Sequence, residues 1–214
     1  MTKHWTFEDS DFANNFGEHV RSQLPWYDLA TGLVRCIAEN YLPENGVMYD
    51  IGSSTGNITK CCRDIIKDRQ VDAVSIDPSQ EMVDAWEGEG VVQKCSAEAF
   101  EYAEFDLAVM FLSMMFVTPS NRKKVMQALV DKMKSGGAIV VVDKFNPCAG
   151  YFATVMRRMT LRQKLSAGES KEGIINKELS LSGIQRPLDY SDIDGKRFFQ
   201  VGEFSGFVIT GQQE

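Results

Sequence analysis

The residues with the most chemical content are two carboxylates, each closing an apolar run. Asp50 lies in Val47-Met48-Tyr49-Asp50-Ile51, and the small-residue turn Gly52-Ser53-Ser54-Thr55-Gly56-Asn57 follows it. Asp77 ends the β-branched run 71–76 and leads into Pro78-Ser79. An apolar run, a tight loop and a helical start at Ile58 describe a strand, a turn and a helix N-terminus, the place where α/β proteins take their ligands. The spacing is neither the G-x-G-x-x-G of dinucleotide sites nor the G-x-x-x-x-G-K-[ST] of phosphate-gripping loops. Gly, Ser and Thr here let the backbone approach a ligand closely without a dedicated phosphate cradle. A carboxylate at the end of the second strand can accept two hydrogen bonds from a ribose diol, and can equally cap a helix entering at Glu81-Met82-Val83.

These features suit a ligand built from an adenosine and an amino acid, and S-adenosylmethionine (SAM) is such a molecule. Asp50-Ile51-Gly52-Ser53-Ser54-Thr55-Gly56, with Ser75-Ile76-Asp77-Pro78-Ser79, resembles motifs I and II of the class I SAM-dependent methyltransferases. Within that superfamily the chain resembles the carboxy-S-adenosyl-L-methionine (carboxy-SAM) synthase family, which modifies SAM used in wobble-uridine tRNA modification and also carries Ser at the position of Ser54. The likeness recurs in Leu24-Pro25-Trp26-Tyr27, Phe116-Val117-Thr118-Pro119-Ser120, Ser135-Gly136-Gly137-Ala138, Asp143-Lys144-Phe145 and Phe198-Phe199-Gln200.

The resemblance implies a Rossmann-like α/β fold, with a mostly parallel seven-stranded sheet ending in an antiparallel hairpin. It implies SAM or carboxy-SAM as cofactor, contacted by Tyr27, by Asp50, Gly52, Ser53, Ser54 and Gly56, and by Asp77 and Pro78. Ser96 and Ala97 fall where many methyltransferases carry an Asp-Ala pair against the adenine, so a hydroxyl replaces the usual carboxylate. Met110 and Phe111 end the fourth strand, and Phe111 stands where the synthases place an Asn that helps hold the added carboxylate. An Arg shortly before the last hairpin pairs with that carboxylate in the family; ungapped counting from Phe198-Phe199-Gln200 lands on Arg186. If Leu181-Ser182-Gly183-Ile184 is instead the turn before the sixth strand, Arg186 begins that strand as a solvated charge. Trp26 and Tyr27 have a second reading too, as packing residues between a helix and the sheet.

A chain of 214 residues with 43% hydrophobic content is the size of one α/β domain. We read 1–214 as a single SAM-binding unit, with 1–46 an N-terminal lid and helix and 144–197 a helical insertion on the substrate side. The aromatics Trp5, Phe7, Phe12 and Phe16 mark the lid. No apolar run approaches the ~20 residues of a membrane helix, so no membrane partner is expected. The five cysteines form no C-x-x-C pair and only His4 and His19 accompany them, so the reading is reduced thiols, no metal and a cytoplasmic location. A net charge of -7 argues against tight nucleic-acid binding and favours a small-molecule substrate, with a homodimer allowed.

The elements that must position these residues follow from periodicity. Strands are expected over 47–51, 71–76, 91–93, 105–110, 138–143, 198–203 and 207–210, the last two joined through Phe204-Ser205-Gly206. Helices are expected over 29–41, with Leu29, Leu33, Val34, Ile37 and Ala38 on the apolar face; over 58–67; and over 121–133, with Val125, Leu129, Val130 and Met133 inward. SAM chemistry rests on positioning, so the lack of a visible catalytic triad decides nothing. Met110-Phe111-Leu112-Ser113 is not the motif of amino-group DNA methyltransferases, and Pro147-Cys148 follows the fifth strand rather than the fourth, which makes Cys148 a packing thiol. Three functions remain: a SAM-dependent methyltransferase on a small acceptor, a synthase making carboxy-SAM from SAM and prephenate, and a non-catalytic SAM-binding protein.

Overall fold

The computed structural model describes residues 10–147 and 149–211; Trp5, Phe7, Cys148 and the side chain of Phe12 lie outside that description. Three helices, α1 (Ser10–Asn14), α2 (Phe16–Gln23) and α3 (Tyr27–Tyr41), precede the first strand, β1 (Val47–Ile51). The short helices α4 (Asn57–Cys61) and α5 (Arg63–Asp68) lead to β2 (Asp72–Asp77), then α6 (Gln80–Asp84) and β3 (Val91–Lys94). After β4 (Phe105–Phe111) come α7 (Pro119–Lys132) and β5 (Met133–Lys144), then α8 (Tyr151–Ser166), α9 (Lys171–Ser180), β6 (Lys196–Val201) and β7 (Phe204–Thr210). The seven strands form one sheet in the order β3-β2-β1-β4-β5-β7-β6, a Rossmann-like α/β arrangement. Every pairing is parallel except the two that β7 makes, with β5 and β6.

The sheet is buried on both faces because its central strands are largely apolar, their residues alternating between the two cores. Leu107, Val109 and Phe111 of β4, with Ala138, Val140 and Val142 of β5, face the core beneath α3. Ala108, Met110, Ile139 and Val141 face the opposite core, beneath α7. Asp106 interrupts the pattern usefully: its Oδ2 accepts from the Val47 N–H and from Lys134 Nζ, both at 2.8 Å, pinning the entry of β4 to β1 and β5.

Several expected faces are rotated. In α3 the buried residues are Tyr27, Ala30, Thr31, Val34 and Ala38, while Leu29 is 62% exposed. Small Ala side chains let the helix axis approach the sheet more closely than a leucine stripe allows. In α7 the buried set is Arg122, Val125, Met126 and Leu129, and Val130 is 42% exposed. Arg122 is buried because its guanidinium serves the backbone: it donates to the carbonyls of Val117, Pro187 and Arg186, and pairs with Asp192 at 3.2 Å. The helix expected over 58–67 is divided at Cys62 into α4 and α5.

The final hairpin differs from the sequence expectation. Phe204, Ser205 and Gly206 are not its connection but the first residues of β7, paired with Lys144, Asp143 and Val142. The turn is Gly202-Glu203, with Gly202 at φ +59°. Gly206 is small for a packing reason, since a Cβ there would stand 2.7 Å from Phe198 Cζ. Among the described residues no helix is long and apolar enough to cross a membrane.

Candidate functional site

The carboxyl ends of β1, β2 and β4 meet at the point where the strand order reverses, and a cavity of about 350 Å³ opens there. Of the thirteen residues named from sequence, Tyr27, Asp50, Gly52, Ser53, Ser54, Asp77, Pro78, Ser96, Ala97, Met110 and Phe111 line it. Gly56 and Arg186 do not. Gly56 is the N-cap of α4 at φ +85°, and a Cβ there would meet the Gly88 amide at 2.6 Å, so it serves the helix entry. The Arg186 side chain is exposed, and its backbone N–H donates to Met115 at 2.9 Å.

The loop after β1 holds its shape by spending its own amides. Gly52 and Ser53 both donate to the Ile76 carbonyl, at 2.8 and 3.0 Å, and Ser54 N–H donates to Asp77 Oδ2 at 2.8 Å. Three consecutive N–H groups are thereby committed inside the protein, which is why this turn is not a phosphate cradle. Ser54 takes a left-handed conformation, φ +49°, usually left to glycine. Gly52 is also left-handed, φ +70°, and a Cβ there would stand 2.3 Å from Ser113 Cβ. Ser113 in turn donates its hydroxyl to the Ile51 carbonyl at 2.7 Å, locking the end of β4 against the loop.

The two carboxylates differ in satisfaction. Asp77 accepts from Ser54 and Ser79 N–H through separate oxygens, at 2.8 and 2.9 Å, and each oxygen keeps a further lone pair. Its reading as a helix cap passes to Ser79, whose hydroxyl accepts from the Met82 N–H at 3.2 Å. Burial raises the Asp77 pKa, against the pull of those two amides. Asp50 is only 1% exposed, and its Oδ2 has no hydrogen-bond partner among the described residues; neither has Ser53 Oγ. Burial, with repulsion from Asp77 added, pushes the Asp50 carboxyl up to about 7. An unpartnered carboxylate oxygen and an unpartnered hydroxyl on the cavity wall are what an amino-acid head group requires. The SAM skeleton therefore fits this end of the cavity.

Aromatic and thioether side chains make the middle of the wall. Phe111 meets Tyr27 edge-on at 5.3 Å, and Arg21 stands over the Tyr27 ring at 5.4 Å. The neighbours Trp26 and Tyr27 divide the two expectations between them. Trp26 packs on Phe199 and Phe204 of the hairpin, at 5.2 and 4.8 Å, while Tyr27 faces the cavity. Phe16, Val20, Gln23 and Leu24 of the α2 region complete this side.

The far wall holds residues to which sequence reasoning gave no site role: Lys144 at the end of β5, within the Asp143-Lys144-Phe145 likeness, Lys164 on α8, and Lys177 and Glu178 on α9. Lys164 Nζ donates to Glu178 Oε1 at 2.8 Å, and Lys177 Nζ lies 3.0 Å from His19 Nε2 on α2. The one sequence signal was Lys144 itself, a lysine continuing a strand that is apolar from Ala138 to Val142.

The comparisons with known proteins agree with this geometry. Residues 49–141 match the model of a methyltransferase domain. The carboxy-S-adenosyl-L-methionine synthase of Staphylococcus epidermidis is 30% identical over 96% of both chains, and that of Yersinia pestis is 26% identical over 92% of this chain and 77% of the relative. A SAM-dependent methyltransferase structure from Methanococcus maripaludis superposes with a TM-score of 0.59 at 16% identity, covering 100% of this chain and 98% of that one. Human N-acetylserotonin methyltransferase in complex with SAM gives 0.59 at 12% identity, over 96% of this chain and 58% of that one; at such identities the likeness shows the fold. The protein is a SAM-dependent transferase, and the chain belongs to the carboxy-S-adenosyl-L-methionine synthase family within the class I SAM-dependent methyltransferases.

Proposed function

We propose that this enzyme transfers the methyl group of SAM to a small acceptor held inside the cavity. The observation that carries the reading is the continuity of one largely apolar cavity, from Asp50 and Asp77 at one end to Leu181 and Ile184 at the other. Its volume of about 350 Å³ suits a small molecule rather than a folded macromolecule. Bound SAM supplies a sulfonium-activated methyl electrophile.

In this reading Asp50 and Ser53 take the ammonium and carboxylate of the amino-acid portion, Asp77 the ribose hydroxyls, and Ser96 the adenine amino group. Phe111, Met110 and Tyr27 exclude water from the sulfonium, where the attack must occur in line. Binding of duplex DNA or tRNA at physiological salt plays no part, given the charge of -7.

The second reading, carboxy-SAM synthesis, is favoured by the 30% identity to the Staphylococcus epidermidis synthase. Phe111 argues against it, because an apolar ring stands where the family offers an amide donor, and Arg186 is exposed and is not among the residues that line the cavity. Mass spectrometry of the small molecule retained on purification is expected to show SAM or S-adenosylhomocysteine. Incubation with SAM and prephenate is expected to give no carboxy-SAM, and a clear product mass reverses the order of the two readings.

A further inference from the structure

The strands end side by side in the order β1, β2, β3. A cofactor with its amino-acid portion at Asp50 and its ribose at Asp77 therefore brings its base to the end of β3. Asp77 is the register partner of Lys94, and Ser96 follows two residues later. Ser96, Ala97 and Glu98 line the cavity there. The turn that carries them is pinned from several sides. Cys95 N–H donates to the Asp77 carbonyl at 3.1 Å, and the N–H groups of Ala99 and Phe100 both donate to the Ser96 carbonyl at 3.2 Å. Tyr102 donates its hydroxyl to the Ala97 carbonyl at 3.1 Å, and Ala103 N–H donates to the Tyr49 hydroxyl at the same distance. None of these bonds engages the Ser96 hydroxyl, which is fixed in place yet able to turn about its own C–O bond.

A carboxylate accepts hydrogen bonds only, so at this position it favours a 6-amino purine and repels a 6-oxo one. A hydroxyl accepts from an amino group and donates to a carbonyl equally well. The rim here is open: Glu98 is exposed and Ser96 and Ala97 are half-buried, so water can serve the adjacent ring nitrogen whether or not it carries a proton. We infer that Ser96 makes the base subsite indifferent to a 6-amino or a 6-oxo group, so that the chain accepts S-adenosyl and S-inosyl thioethers alike. The inference rests on the reading that the cofactor lies along these strand ends, so S-adenosylhomocysteine binding is measured first and by itself.

The test is calorimetry with S-adenosylhomocysteine and with S-inosylhomocysteine, the product of its hydrolytic deamination. The two are expected to bind the wild type within about fivefold of each other, because neutral hydrogen bonds of either polarity are similar in strength. Ser96→Asp is expected to raise the preference for the adenosyl form by about tenfold or more, since a carboxylate then faces a carbonyl oxygen. Ser96→Ala is expected to weaken both ligands to the same extent, within about twofold. A purely structural role for Ser96 does not predict a changed ratio in one variant and an unchanged ratio in the other. A wild-type preference beyond the expected range in either direction, a smaller rise in Ser96→Asp, or unequal weakening in Ser96→Ala overturns the inference. Should Ser96→Asp fail to fold, the wild type and Ser96→Ala decide by the same criteria. Failure of S-adenosylhomocysteine to bind at all counts against the cofactor reading instead.

Discussion

The two ends of the cavity are built in opposite ways. The end beside β1 and β2 is acidic, rigid and local: Asp50, the Gly52–Gly56 loop and Asp77 lie on adjacent strands, and the loop is tied to Ile76 and Asp77 by three backbone N–H groups. The opposite end is basic and non-local, drawing lysines from β5, α8 and α9 on long side chains with one shared carboxylate. The contrast teaches that such an enzyme keeps its common recognition in short-range, hydrogen-bonded backbone. The opposite end is made of side chains from elements later in the chain, which can change without disturbing the sheet.

The sharpest way to break this contrast is Gly52→Val. The first clash of a side chain at this position is with Ser113 Cβ, 2.3 Å from a Cβ at Gly52. Together with the left-handed φ of +70°, this is expected to cost about 3 kcal/mol or more in thermal unfolding and to abolish S-adenosylhomocysteine binding. A variant with unchanged melting and affinity shows the loop to be plastic.

Asp77→Ala comes next. It removes the ribose acceptor and leaves the Ser54 and Ser79 amides without their carboxylate, so a loss of roughly 1–3 kcal/mol in cofactor affinity is expected by calorimetry. Equal affinity of wild type and variant refutes a ribose role.

A smaller effect sharpens the acidic end through pH. The Asp50 carboxyl titrates at about 7 in the folded chain, against an unfolded value near 3.8. Between those values the folded protein holds a proton that the unfolded chain has released, so this group's contribution to stability falls as pH rises through the window. A ligand ammonium favours the carboxylate, so binding releases a proton and tightens as pH rises towards 7, by up to about tenfold per unit. Asp143, buried and also raised to about 7, shifts stability in the same direction but lies off the cavity wall. Asp50→Asn is therefore expected to flatten the pH dependence of S-adenosylhomocysteine affinity while leaving the Asp143 component of stability in place.

The smallest expected effect concerns Arg186. With Arg186 exposed and outside the cavity wall, Arg186→Leu is expected to change S-adenosylhomocysteine affinity by less than about twofold in calorimetry. A tenfold loss from Arg186→Leu gives that residue a part in ligand binding.

What the sequence by itself determined was the acidic end and the sheet that carries it. Strands that are mostly apolar, a glycine at each end of a short turn and an acid near the end of each of two neighbouring strands are local patterns. They specify parallel packing and a ligand at the strand ends with no knowledge of distant contacts. Asp50, Gly52, Ser53, Ser54, Asp77 and Pro78 line the cavity as those patterns predict, and Tyr27, Ser96, Ala97, Met110 and Phe111, named from the family resemblance, line it too. The tertiary structure decided the rest. It rotated α3 so that Leu29 faces solvent, and made Gly206 a packing residue within β7 rather than a turn. It set Arg122 inside to hold the segment from Arg186 to Asp192, which turned the Arg186 backbone inward and left its side chain outside. It also gathered Lys144, Lys164 and Lys177 from three separate elements around Glu178. Lys164 and Lys177 sit on helices where lysines read as solvated charges in a sequence; only the tertiary packing brings them beside Lys144, with Lys144 and Lys164 buried and Lys177 half-buried, and no local spacing encodes that meeting.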